Sequence, residues 1–156
     1  MPGRLARDIK QTKPFHSLPL EVFFNLLRTT DHLSRASAGL LKPYDLTEAQ
    51  YNVLRILRGA GEAGLPCNEI GSRLITHDPD VTRLIDRLEK RGLVTRARDS
   101  ADRRVVTVRI SPSGGALVET SDMDRQVGET FAPFFAKLSP DDCRTLITLL
   151  ENLREP

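Results

Sequence analysis

Apolar positions follow a helical period at both ends of the chain, and a strand-like alternation interrupts it once. From Leu20, the residues Phe23, Phe24, Leu27, Leu33, Leu40 and Leu41 recur at roughly helical spacing until Pro43 stops the run, which predicts one long helix. The stretch before it, with Pro2, Pro14 and Pro19 and scattered basic groups, has no period and reads as an arm rather than core. Thr47-Glu48-Ala49-Gln50 has the form of a capping box, so a second helix starts there. Val53, Leu54, Ile56 and Leu57 give that helix its apolar stripe, and Gly59-Ala60-Gly61 ends it. A short third helix follows Pro66, with Ile70 and Leu74 facing inward. Asp78-Pro79 then opens a fourth, Thr76 being the alternative cap. The run VTRLIDRLEKR buries Val81, Leu84, Ile85 and Leu88 and stops at Gly92.

Beyond Gly92 the period changes. LVTRAR, the polar turn DSADR and RVVTVRI alternate their side chains and are rich in β-branched residues, the pattern of a two-stranded hairpin with a charged tip. Ser111-Pro112 and Ser139-Pro140 each join a cap to a first-turn proline. They predict closing helices from Pro112 to about Lys137 and from Pro140 to about Arg154, with Asp141 and Asp142 at the positive end of the last. The order is four helices, a hairpin and two helices. That order predicts a mainly α (α+β) fold in one domain, 1–156: a winged helix-turn-helix over 45–111, flanked by helices at 18–44 and 112–156.

Net charge is +2, which says little until it is placed along the chain. Arg73 to Arg109 holds ten basic residues against six acidic, +4, so the remainder carries −2. A positive block in an otherwise slightly acidic chain is the footprint of a module that reads DNA. Within it, the first turns of the fourth helix expose Asp80, Thr82 and Arg83, with Arg87 one turn on. An Arg in the major groove takes guanine O6 and N7 together, and a Thr takes a phosphate or a thymine methyl. Asp102, Arg103 and Arg104 fall at the hairpin tip, from which Arg103 would enter a narrow minor groove. Arg104 either holds the turn through Asp102 or touches DNA itself. Arg96, on the first wing strand, is expected near phosphate or solvent.

Other chemistries find little support. No apolar run approaches the ~18 residues of a membrane span, and the start lacks the apolar core of a signal peptide, so a cytoplasmic protein with no membrane partner is expected. Cys67 and Cys143 lack a CxxC partner and read as small buried hydrophobes, and neither a metal nor a cofactor is expected. A thiol switch at Cys67, at the start of the third helix, is the alternative. His16, His32 and His77 are isolated, and Gly114-Gly115 lacks the Lys of a phosphate loop, so no enzyme is expected. A winged helix used for protein contacts would need an acidic or apolar outer face, whereas this one is basic.

The stretch VTRLIDRLEKRGLVTRARDSADRRVVTVRIS resembles the signature of the MarR family of bacterial regulators. The family's D-x-R-x-x-x-V-x-L-T wing motif falls on Asp102, Arg104, Val108, Ile110 and Ser111, with Ile and Ser standing for the commoner Leu and Thr. LTEAQYNVLRIL, from Leu46, is similar to the family's helix before the reader, and the likeness runs from about Leu20 to Leu153. The resemblance implies a homodimer whose outer helices interlock while two winged modules reach successive major grooves of a palindromic double-stranded operator. It further implies a ligand-responsive repressor that takes a small aromatic or phenolic effector. Phe23, Phe24, Leu27, Arg35, Tyr44 and Phe131 are the candidate lining of that pocket.

Overall fold

The computed structural model describes residues 3–78, 80–98, 105–120 and 123–155. The wing-tip residues Asp102, Arg103 and Arg104 therefore lie outside the described residues, as does Pro79. A five-residue helix α1 (Arg4–Asp8) precedes the long α2 (Leu18–Leu41), whose first turn is capped by Ser17 with its Oγ accepting from the Leu20 amide. α3 (Glu48–Ala60) opens on the capping box: the Thr47 amide donates to Gln50 Oε1 at 2.9 Å, and the Gln50 amide donates to Thr47 Oγ1 at 3.2 Å. Next come β1 (Leu65–Pro66), α4 (Cys67–Arg73), α5 (Val81–Lys90), β2 (Val94–Arg98) and β3 (Val106–Ile110). The chain closes with α6 (Pro112–Thr120), α7 (Met123–Phe135) and α8 (Pro140–Asn152).

The core is centred in the winged module, with Leu41 of α2 and Val118 of α6 reaching into it. Val53, Leu54 and Leu57 of α3 meet Ile70 of α4, Ile85 and Leu88 of α5, and Val108 of β3, all fully buried. The three strands form an antiparallel sheet in the order β1-β3-β2, with Val94 opposite Ile110, Arg96 opposite Val108, and Leu65 opposite Val108 on the other edge. Gly64 makes β1 possible: its φ is +66°, and a Cβ there would sit 2.4 Å from the Val108 carbonyl oxygen. The flanking helices are different. α8 buries no residue, and Phe23, Leu27, Ile147, Leu149 and Leu153 stand more than half exposed.

Five expectations are corrected here. The amino-terminal stretch is not purely an arm, because Leu5 and Ala6 of α1 are buried. The sheet has three strands rather than two, since Leu65–Pro66 adds a short edge to β3. The reading helix begins at Val81, not Asp78: Asp80 caps it by accepting from the Arg83 amide at 3.1 Å, while Asp78 Oδ1 accepts from the Asp80 amide at 2.8 Å in an Asx turn. The stretch from Pro112 is two helices rather than one, with residues 121 and 122 between them outside the described residues. Cys67 and Cys143 are each half-buried rather than buried.

Candidate nucleic-acid interface

At about 100° per residue, the polar positions of α5 sort into two stripes opposite the buried Leu84, Ile85 and Leu88. One stripe is cationic. Arg83, Arg87 and Lys90 are all exposed, and the side chains of Arg87 and Lys90 make no hydrogen bond or ion pair among the described residues. Arg83 is 76% exposed, and its Nε stands 3.4 Å from Asp80 Oδ2. Exposed cations on an outward helix face suit phosphates and guanine edges. Asp80, predicted as a reader, is committed first to the helix cap.

The second stripe is Thr82, Asp86 and Glu89, and a single side chain holds it. Arg96 of β2 donates to Asp86 Oδ1 at 2.5 Å, to Glu89 Oε2 at 3.0 Å and to the Thr82 carbonyl at 3.3 Å, leaving its side chain only 23% exposed. Burial works against its charged form, but the hydrogen bond and charge of Asp86, with the charge of Glu89, outweigh it and hold the guanidinium above its ordinary pKa. This corrects the expectation for Arg96: it reaches the helix, not phosphate or solvent. Arg91, past the end of α5, donates to the carbonyls of Asp45 and Tyr44 and so fastens the helix to the α2–α3 connection. Behind the wing, Ser111 Oγ donates to the Gly92 carbonyl at 2.6 Å and accepts from the Gly114 amide at 3.0 Å, joining the sheet to α6.

A second polar cluster ties the winged module to α7. Asp124 accepts from Arg58 at 2.9 Å and from the Tyr51 hydroxyl at 3.2 Å, with Arg55 Nε 3.5 Å away. The Arg58 hydrogen bond leads in holding the Asp124 carboxyl below its usual range, whereas burial, then the Asp124 charge, push the Tyr51 hydroxyl up to about 12. No local sequence signal marks this cluster, because Asp124 lies more than 60 residues from its partners on α3.

Comparison with known proteins gives this geometry its context. The model of the MarR family matches residues 46–106, which contain α3, the helix-turn-helix and the first wing strand β2. The HTH-type transcriptional regulator TtmR of Methylorubrum extorquens (strain PA1) is 34% identical over 140 residues, covering 89% of this chain and 68% of its own. The chain belongs to the MarR family. Among MarR structures, the transcription factor from Planctomyces limnophilus is 36% identical with a TM-score of 0.66, over 88% of this chain and 98% of its own. An E. coli MarR mutant complexed with operator DNA is 26% identical with a TM-score of 0.72, over 97% and 99%. BpsR of Bordetella bronchiseptica, whose DNA binding is regulated by 6-hydroxynicotinic acid, is 27% identical with a TM-score of 0.76, over 92% and 99%. This MarR-family chain is thus a DNA-binding transcriptional regulator, and its family consists of regulators rather than enzymes. Among its described residues no helix is long and apolar enough to cross a membrane.

The predicted pocket residues are not brought together. Phe23, Phe24 and Leu27 lie on the open face of α2, and Tyr44 accepts a hydrogen bond from Gln126 at 3.2 Å. Arg35 pairs with Asp31 beside an open cleft of about 970 Å³ between α2 and the far end of α5. Phe131 instead lines a cleft of about 410 Å³ between α2, α3 and α7, together with Leu33, Ser34, Tyr51, Arg55 and Val127.

Proposed function

We propose that this MarR-family regulator works as a homodimeric repressor that reads a palindromic operator with Thr82, Arg83 and Arg87 of α5 and is released by a small aromatic effector. The observation that carries the reading is the exposed cationic stripe Arg83–Arg87–Lys90 at the front of a winged core. The exposed apolar faces of α2 and α8 support the dimer, since contiguous helical apolar surface marks an interface. Two modules on successive major grooves would sit one helical turn apart, ~10 base pairs, and cover the promoter beneath them. Arg103 and Arg104 at the wing tip are retained as DNA contacts on the sequence argument, with Asp102 as the residue that shapes the turn. The effector reading moves to the cleft of about 410 Å³, a size that suits one aromatic ring with its substituents. The likeness of the chain to BpsR, regulated by 6-hydroxynicotinic acid, supports an aromatic acid class.

Selection of bound fragments from genomic DNA, followed by sequencing, tests the reading. The expected result is an inverted repeat with half-sites about one turn apart. Enrichment without any shared sequence, or a single unrepeated site, contradicts it.

A further inference from the structure

We propose that Arg96 is a positioning residue for DNA reading: by gripping one stripe of α5 it sets the rotation of that helix about its own axis, and so where Thr82, Arg83 and Arg87 point. The inference rests on the reading of α5 as the base-contacting helix. Three acceptors meet the guanidinium: the Thr82 carbonyl, Asp86 and Glu89. They stand at i, i+4 and i+7, a straight line along two turns of helix. The anchor behind them is stiff, because Arg96 is paired in the sheet with Val108, which is fully buried, and Val108 pairs on its other side with Leu65.

Apolar packing restrains this rotation less sharply. Leu84, Ile85 and Leu88 hold α5 against the core, but burial is non-directional and tolerates a small roll. A roll of about 20° moves a side-chain tip ~2 Å, given a helix radius of ~5–6 Å with side chains. That displacement is enough to lose a bidentate contact to a guanine edge. Hydrogen bonds are directional, and a planar guanidinium offers several donors at fixed angles where an ammonium offers one point charge. Arg96 also offsets two carboxylates on a helix that must approach phosphates.

The test uses the full chain, the operator fragment selected as above and a random duplex, with affinity measured across salt and thermal melting recorded. Arg96→Gln and Asp86→Asn should each lower operator affinity about tenfold, as the loss of one good base contact does. Random-duplex affinity and the salt slope should stay unchanged, and Arg96→Lys should recover part of the loss. Asp86→Asn is the sharper arm. It removes negative charge from the reading helix, so electrostatics alone demands tighter binding. Unchanged or tighter operator binding by Asp86→Asn overturns the proposal. So does a salt slope that falls by about 0.9 in Arg96→Gln, the mark of one lost phosphate contact. Equal losses on both duplexes with a lower melting temperature also overturn it, leaving a purely structural role. If Arg96→Gln fails to fold, Asp86→Asn still decides, because the Asp86 side chain is 51% exposed. Arg83→Ala is the control on the underlying reading: operator preference that survives it removes α5 as the reader, whereas its loss alongside a neutral Asp86→Asn refutes the Arg96 role alone.

Discussion

Placing aspartates at Leu149 and Leu153 should split the dimer and leave each protomer folded. Leu149 of α8 and Leu153, its C-cap, stand four residues apart, 56% and 62% exposed in the single chain. Completing the burial of a half-exposed Leu contributes about 1 kcal/mol, half of the ~2 for a full side chain. Two residues from each protomer give about 4 kcal/mol, roughly a thousandfold in the dimer dissociation constant. Buried carboxylates would add to that loss. Folding should survive because α8 buries no residue, while the core of α3, α4, α5 and the sheet is untouched. Sedimentation across nanomolar to micromolar protein, with circular dichroism of the same samples, reads both quantities. A double variant that remains dimeric at nanomolar concentration refutes α8 as an interface helix. One that loses its helical signal together with its dimer refutes the independence of the winged core.

Further outcomes follow from single sites. A Cβ at Gly114 would lie 2.1 Å from the Leu93 carbonyl oxygen, so Gly114→Ala must push α6 off the sheet. Its cost should be about 1–3 kcal/mol, visible as a melting temperature lower by several degrees. Tyr51 titrates at about 12 in the folded chain against 10.0 ordinarily, so the folded state binds that proton more tightly. Its contribution is fully present below pH 10.0 and is lost as pH rises toward about 12. Tyr51→Phe should flatten that alkaline limb in urea unfolding followed over this range; an unchanged pH dependence contradicts a Tyr51 hydroxyl raised by burial and by the Asp124 charge.

Local chemistry was the legible part of this fold. The Thr47–Gln50 box and the left-handed Gly92, with φ of +70°, follow from residues a few positions apart. The alternation of β2 and β3 was equally plain, whereas β1 has two residues and no period of its own, existing only because Gly64 lets the chain approach Val108. Asp78 and Asp80 show the limit of a cap signal. Either carboxylate could serve, and the backbone decided by turning Asp78 onto the Asp80 amide. For the interface, the exposed cations of α5 were readable from helical spacing. Arg96 was not, because its role depends on β2 lying beside α5, a contact no periodicity encodes. The effector lining is less legible for a related reason: aromatic residues on α2 look the same whether they face a pocket or a partner, and Phe23 and Leu27 are exposed in the single chain.

The central claim is that α5 reads base sequence through its cationic stripe. Its most direct test is the affinity of Arg83→Ala for operator and for random duplex at one fixed salt concentration. The account predicts a loss of about 1–3 kcal/mol on the operator with little change on random DNA. Equal losses on the two duplexes would contradict it, making Arg83 a phosphate contact and moving sequence reading elsewhere in the module.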